Sequence, residues 1–253
     1  MKLSVVIPFY NEENMIQKMY DELVKEINQI TKAEFEIIFI NDGSKDRTFE
    51  RMLAIAAGDS RVKYISFSRN FGKEAGTIAG LEYATGEAVI LMDGDLQHPP
   101  AMLPKMIEAY EQGYDVVSAR RTRTGEKRHR TFLAKHFYKL ANKMMDIELM
   151  DGVSEFRLFS RKVVNAIISM QEYNRFSKGI FAWIGFNEKV IEYENQVRTV
   201  GETKYSLKFS LNYAIQGILS FNDKPLRMCI NFGLFCLLIS LAYVLWTFVQ
   251  YFV

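Results

Sequence analysis

Residues 88–97, Ala88-Val-Ile-Leu-Met-Asp-Gly-Asp-Leu-Gln97, decide how the chain is read. A short run without a polar side chain, closed by two carboxylates one residue apart, predicts a strand buried on both faces that presents acid at its carboxyl end. The same pattern recurs on either side. Leu3 to Pro8 is an apolar run followed by Pro8-Phe-Tyr-Asn-Glu-Glu13, and Phe35 to Ile40 is followed by Asn41-Asp-Gly-Ser44. Val62 to Phe67 leads into Ser68-Arg-Asn70, and Tyr114 to Ser118 into Ala119-Arg-Arg121. Between them lie helical patterns: Ile16, Tyr20, Leu23, Ile27 and Ile30, then residues 48–57, 74–84 and 102–110. This alternation predicts an α/β domain, a parallel sheet covered by helices on both faces. Residues 120–130 read as a polar, basic linker, and beyond Asp151 the pattern is shorter and more mixed.

In open α/β sheets ligands bind outside the carboxyl ends of the strands, where these polar residues fall. Any one of the loops is ordinary turn chemistry. Successive strands delivering polar groups to one edge make a site. Two carboxylates as close as Asp93 and Asp95 repel unless a cation neutralises them. With Gln97 they form an oxygen-donor set suited to Mg²⁺ or Mn²⁺. Asp42 and Lys73, on neighbouring loops, complete the outline of a nucleoside diphosphate pocket. A P-loop kinase is excluded by the lack of GxxxxGK[ST], and a dinucleotide dehydrogenase by the lack of G-x-G-x-x-G after the first strand. No G-x-S-x-G elbow is present. The formal net charge of +2 gives no bulk attraction for nucleic acid. The two cysteines, Cys229 and Cys236, both lie in an apolar run and build no zinc or disulfide framework.

That run, Met228 to Val253, carries no charge. At about 1.5 Å per residue it is long enough to cross a hydrocarbon core of about 30 Å. Tyr243, Trp246 and Tyr251 fall where an interfacial aromatic belt would lie. Lys224 and Arg227 flank its start, which places the preceding domain in the cytoplasm by the positive-inside rule. Met1 to Pro8 is too short for a signal peptide, and Asn11-Glu-Glu13 follows at once. Leu207, Leu211, Ile215, Ile218 and Leu219 recur at helical spacing with Lys204, Lys208, Asn212 and Gln216 between them, as in a helix lying on a membrane surface. Pro225 separates that helix from the span. The expected organisation is a cytoplasmic catalytic domain over 1–205, an amphipathic juxtamembrane helix over 206–225 and a transmembrane helix over 226–253. The membrane region either ends there or is the first part of a longer one.

The runs VVIPFYNEE (5–13), NDGSKDRT (41–48), SRNFGKEAG (68–76), MDGDLQHPP (92–100), EFRLFSRK (155–162), NRF (174–176) and RTVGETKY (198–205) resemble family 2 glycosyltransferases of the polyprenyl-phosphate type. These are relatives of dolichol-phosphate mannose synthase, and the resemblance is greatest to bactoprenol (undecaprenyl-phosphate) glucosyltransferases. It covers nearly the whole chain. It implies a GT-A (Rossmann-like) fold, a UDP-sugar donor and a metal at Asp-x-Asp. It also implies an undecaprenyl phosphate acceptor and a product moved across the membrane by a separate flippase for a downstream glycosyltransferase. Carried over by position, Pro8, Tyr10, Glu12 and Asp42 would hold the nucleoside, and Asp93, Asp95 and Gln97 the metal and diphosphate. Lys73 would support the same pocket. Arg120, Arg121, Arg130, Arg198 and Lys204 would face the acceptor phosphate. Where the family shows Gly-Asp-Phe-Arg-Leu, this chain has Ser154-Glu-Phe-Arg-Leu158. Glu155 keeps the charge near acceptor or sugar and extends it by one methylene.

Chemistry agrees with that acceptor. Arg120, Arg121, Arg123, Lys127, Arg128 and Arg130 form a cationic loop, and basic loops beside a membrane attract anionic headgroups at about 1 kcal/mol per residue. A phosphate monoester, with a second pKa near ~6, is an ionised nucleophile at neutral pH and needs positioning more than a general base. One in-line displacement then converts an α-linked donor into a β-linked lipid phosphate sugar. UDP-GlcNAc or GDP-mannose remains an alternative donor, since no residue reads the sugar's C2 substituent. A processive synthase is disfavoured because Gln171 to Phe176 reads QEYNRF in place of Gln-x-x-Arg-Trp. A weakly active membrane scaffold recruiting a flippase is the remaining class. A homo-oligomer is compatible with this layout, though no residue specifies one.

Overall fold

The computed structural model describes residues 1–122, 142–143, 145, 147, 150–172, 175–194, 217 and 220–252. In chain order the elements are β1 (Lys2–Phe9), α1 (Ile16–Ile27), β2 (Glu34–Asn41), α2 (Thr48–Gly58), β3 (Val62–Ser66), α3 (Lys73–Tyr83) and β4 (Ala88–Leu91). A 3-10 turn (Pro100–Met102) leads into α4 (Leu103–Glu111). Then come β5 (Val116–Arg121), β6 (Val153–Ser160), α5 (Arg161–Ser169), α6 (Ser177–Trp183), β7 (Glu188–Tyr193) and α7 (Lys224–Phe252).

The seven strands form one sheet in the order β3-β2-β1-β4-β6-β5-β7. Alternation along each strand sorts side chains to two faces. Val5, Ile7 and Phe9 point into one core with Ile37, Phe39 and Ile90. That core is sealed by Ile16, Met19, Leu23 and Ile27 of α1, Met52 and Ile55 of α2, and Leu103, Met106 and Ile107 of α4. Val6, Ile38, Ile40, Val89 and Leu91 point the other way, against Leu81 of α3, Val163, Val164 and Ile167 of α5, and Ile180 and Phe181 of α6. The α1 positions follow helical spacing because one stripe faces the sheet while Lys18 and Glu22 stay in water.

Three expectations are corrected. The sheet is mixed: β6 runs antiparallel to both β4 and β5, pairing Leu91 with Arg157 and Ser118 with Arg157. No β-α-β crossover is needed to bring β6 in, and its polar Ser154, Glu155 and Arg157 gave it no clean period. Second, Val62 to Phe67 is not a strand buried on both faces. It is an edge strand in which Val62 alone is buried, with Lys63 and Tyr64 exposed. Third, Arg120 and Arg121 belong to β5 and not to a linker, because β7 supplies them with a parallel partner, Arg120 opposite Glu192 and Arg121 opposite Tyr193.

At the far end, α7 begins at Lys224, two residues before the expected span. Pro225 is accommodated in its first turn, where its missing N–H would have no partner in any case. Asn222 Oδ1 accepts the N–H of Lys224 at 2.8 Å, and Arg227 pairs with Asp223 at 2.7 Å. From Leu226 to Phe252 the helix is long and apolar enough to cross a membrane, and none of it is buried against the domain. Most of the expected amphipathic helix over 206–225 lies outside the described residues.

Glu36, near the start of β2, ties the amino end of the sheet together. Its carboxylate accepts from Ser4 Oγ at 2.6 Å and from the Thr85 N–H at 2.6 Å, and it pairs with Lys63 at 2.7 Å. Burial alone would raise its pKa, but Lys63, Ser4 and Thr85 outweigh burial and bring it from 4.5 to about 2. A carboxyl depressed in the folded state stabilises fully above its unfolded pKa and less as pH falls towards the folded one. Replacing it, Glu36→Gln, is expected to lower stability by about 1–3 kcal/mol at pH 7. The deficit should shrink steadily between pH 4.5 and 2. Thermal unfolding of both proteins across that range checks it, and a constant deficit would contradict it.

Candidate active site

The loops after β1 and β2 are sewn into one surface. The N–H of Asn11 donates to Ser44 Oγ at 3.0 Å, and Asn11 Oδ1 accepts from the Lys45 N–H at 2.8 Å. Asn11 adopts a φ of 51°, a left-handed conformation that asparagine tolerates better than most residues. The N–H of Glu12 donates to Thr48 Oγ1 at 2.8 Å. The turn after β1, which carries Tyr10 and Glu12, is therefore tied to the 41–48 loop, while Pro8, within β1, faces Gly76 of α3.

Asp42 is 4% exposed at the end of β2. Its Oδ1 accepts the Phe71 N–H at 2.7 Å and its Oδ2 the Gly72 N–H at 3.0 Å. Burial raises its pKa and the two N–H groups only partly offset that. Gly72 has a φ of 95°, which a side chain would strain, and Lys73 follows as the first residue of α3. Asp42 thus fixes the turn that aims Lys73. Sequence reasoning assigned Asp42 to the nucleoside; here both of its oxygens already hold this turn.

Lys73 bridges two strands. Its ammonium contacts Asp93 Oδ1, just past β4, and lies 2.6 Å from Glu155 Oε2 on β6. Burial would lower the Lys73 pKa, but Asp93 and Glu155 outweigh it and hold the ammonium well above its ordinary value. Burial likewise pushes Asp93 up, and Lys73 more than reverses this, so the carboxyl stays ionised below the usual range. The longer side chain of Glu155 is what spans from β6 to the ammonium.

The Asp93–Gln97 turn is rigid. Leu96 has a φ of 59°, and the Gln97 N–H donates to Asp95 Oδ1 at 3.1 Å. A Cβ on Gly94 would fall 2.3 Å from Cε1 of Phe9, which is itself buried and edge-on to Phe39 at 5.3 Å. His98, missed in the sequence, holds the turn from below. Its Nδ1 accepts the Asp93 N–H at 2.9 Å, its Nε2 lies 3.7 Å from Asp93 Oδ2, and its ring stacks on Phe156. Burial lowers its pKa, which favours the neutral ring that can accept this bond. A histidine just after an Asp-Gly-Asp turn was the available signal.

The donor set suits a hard divalent cation: Asp93 and Asp95 offer oxygen one residue apart, and the Asp93 side chain is 30% exposed. Among the described residues no three His, Cys, Asp or Glu side chains converge on a metal-sized space. A cation held there would take its other ligands from substrate oxygens, water or Gln97.

Of the expected acceptor cations, Arg120 pairs with Glu192 of β7 and is partly exposed. Arg121 donates its N–H to Gly152 O at 3.0 Å. Tyr193, opposite Arg121 and edge-on to Phe156 at 6.4 Å, has its pKa raised chiefly by burial; Asp93 and Asp95 add to that, and Ser154 and Arg121 oppose it. Arg130, Arg198 and Lys204 fall outside the described residues. Arg157, also missed, is buried under this edge and pairs with Glu188 at 3.1 Å. A cavity of about 520 Å³ lies elsewhere, lined by Thr85, Glu87, Tyr110, Asp115 and Arg161. Glu87 and Asp115 precede β4 and β5, so it opens at the opposite edge of the sheet; Lys162 pairs with Asp115 at 2.7 Å, and Arg161 donates to the Ala84 and Gly86 carbonyls at 2.9 Å.

Residues 4–168 match the family model described as Glycosyl transferase family 2. A glycosyltransferase of Bacillus subtilis (strain 168) is 50% identical over 98% of this chain and 75% of its own length. A bactoprenol glucosyl transferase of Shigella phage SfX is 42% identical over 97% of this chain and 81% of its own. Among solved structures, glucosyl-3-phosphoglycerate synthase from Mycobacterium tuberculosis, in complex with Mn²⁺ and UDP-glucose, superposes with a TM-score of 0.55 at 20% identity. It covers 86% of this chain and 76% of that one. The fold is that of the GT-A glycosyltransferases.

The Gly94 contact gives a direct test. Gly94→Ala forces the Phe9 ring or the Asp93–Asp95 turn to move, at a cost of about 1–3 kcal/mol in stability. Thermal unfolding of the full chain checks this, and an unchanged midpoint would show that the turn does not depend on this approach.

Proposed function

We propose that this chain, which belongs to glycosyl transferase family 2, transfers glucose from UDP-glucose to undecaprenyl phosphate, with inversion, at the cytoplasmic face of the cell's inner membrane. The observation that carries the reading is the meeting of Asp93, Lys73 and Glu155 at the carboxyl edge of the sheet, with Asp95 in the turn that follows Asp93. The name of the phage relative, a bactoprenol glucosyl transferase, supports the acceptor and the sugar, and the Mn²⁺–UDP-glucose complex of the structural neighbour supports the donor.

Pro8, Tyr10 and Glu12 form the rim against which the nucleoside rests, and Asp42 lies behind them. Asp93 and Asp95, with Gln97, hold Mg²⁺ or Mn²⁺, which supplies charge neutralisation for the departing UDP. Lys73 adds a mobile positive charge beside the diphosphate. Arg120 and Arg121, with Arg130, Arg198 and Lys204, orient the acceptor phosphate, and an arginine fork matches its oxygens. Glu155 stands where the incoming phosphate or the sugar must pass. The nucleophile is already ionised, so the residues supply position and screening more than proton transfer.

The membrane arrangement follows the same reading. Residues 1–205 form the catalytic domain, 206–225 rest on the membrane surface and 226–253 cross it, bringing the site to a lipid-borne phosphate. A product made on that face reaches a downstream glycosyltransferase through a flippase, and the chain can work as a homo-oligomer. Support comes from the unburied apolar helix after Leu226 and from the lipid named for the phage relative.

The full chain in liposomes, given undecaprenyl phosphate, Mn²⁺ and radiolabelled UDP-glucose, UDP-GlcNAc or GDP-mannose, tests this. Label is expected in lipid from UDP-glucose alone, abolished by EDTA and reduced at least about 100-fold by Asp95→Ala. Label from another donor alone corrects the sugar; label that survives Asp95→Ala overturns the site. A second expectation concerns pH: turnover should fall below a pH of about 6, where the acceptor phosphate passes from dianion to monoanion. A rate independent of pH down to 5 would contradict a dianionic phosphate nucleophile.

A further inference from the structure

One ammonium and two carboxylates from different strands form a closed set. Lys73 Nζ lies on Asp93 Oδ1 and 2.6 Å from Glu155 Oε2. The partners are 20 and 82 positions away in the chain, so the pairing is built by the fold and not by a local turn. It is also shielded: the side chain of Glu155 is 12% exposed and that of Lys73 31%.

A divalent cation on Asp93 would meet the Lys73 ammonium at contact distance, and two cations cannot share that oxygen without strong repulsion. The backbone of Lys73 is held, since Asp42 grips Phe71 and Gly72 immediately before it. The side chain is not held in the same way. Its flexible stem can carry the ammonium a few ångström away, and a diphosphate beside the start of α3 offers it richer negative charge than Asp93 does.

We propose that Lys73 acts as an internal cation that closes the acidic site of the free protein, and that a nucleoside diphosphate draws it away, so that the metal enters with the nucleotide and not before it. This rests on the metal-dependent transferase reading above. Lys73 is here a positioning residue, and it makes metal and nucleotide binding mutually dependent. An empty site then carries no exposed pair of unneutralised acids, and metal alone does not occupy the site ahead of the donor.

The test is Mn²⁺ binding to the full chain in detergent, read from the free-ion electron paramagnetic resonance signal. The wild type should bind Mn²⁺ about tenfold or more weakly without UDP than with it. Lys73→Met should bind Mn²⁺ alone about tenfold more tightly than the wild type does, with the effect of UDP reduced to what direct coordination by the diphosphate supplies. Lys73→Gln, which keeps a hydrogen-bonding group without charge, should behave as Lys73→Met does and decides the matter if the methionine variant unfolds. Lys73→Arg should keep the wild-type behaviour. Neutral variants that bind Mn²⁺ alone no better than wild type would overturn the proposal while leaving the metal reading intact. No Mn²⁺ bound by wild type even with UDP would remove both.

Discussion

Mutual repulsion among carboxylates at one edge of the sheet is the constraint on which the site depends. Asp93, just past β4, and Glu155, on the neighbouring β6, share one site, and a cation between them is what lets them stay together. In the free protein the Lys73 ammonium meets that need for Asp93 and Glu155. Its position is inherited from Asp42, which fixes the turn before α3 through two backbone N–H groups. A buried carboxylate at the end of β2 therefore sets the location of a cation that neutralises carboxylates at the ends of β4 and β6. The Asp93–Gln97 turn contributes rigidity: His98 beneath it and Phe9 against Gly94 leave it little room to move.

The first turn of α3 reaches in a second direction. Glu74, next to Lys73, accepts the N–H of Ser177 at the start of α6. On the other side of α6, the ring of Phe221 lies against Gly179 and is 6.3 Å from that of Phe176. Phe221 precedes the apolar helix by only three residues. One helical turn thus touches both the acidic site and the element on which the start of the apolar helix is seated.

Much of this was legible in the sequence, for identifiable reasons. Continuous apolar runs in β1, β2 and β4 record burial on both faces, and Asp93-Gly-Asp95 at a strand end records charge that needs a partner. Asp42 and Lys73 could be placed at one edge of the sheet by their loops. Their mutual dependence could not, because it runs through backbone N–H groups that have no residue signature. The Lys73–Glu155 pair was hidden for a different reason. It requires β6 to enter antiparallel beside β4, and residues 153–157 mix Val, Ser, Glu, Phe and Arg without a clean period. His98 and Arg157 escaped notice because a buried polar residue is defined by what surrounds it. Arg120 and Arg121 looked like a linker because their strand partner, β7, lies about 70 residues further on.

The most direct measurement is the structure of the full chain with UDP and Mn²⁺ bound, read for one distance. If the account is right, the metal lies on Asp93 and Asp95 at about 2.0–2.2 Å, and the Lys73 ammonium has left Asp93 for the diphosphate. An intact Lys73–Asp93 contact with nucleotide bound and the metal elsewhere would contradict it.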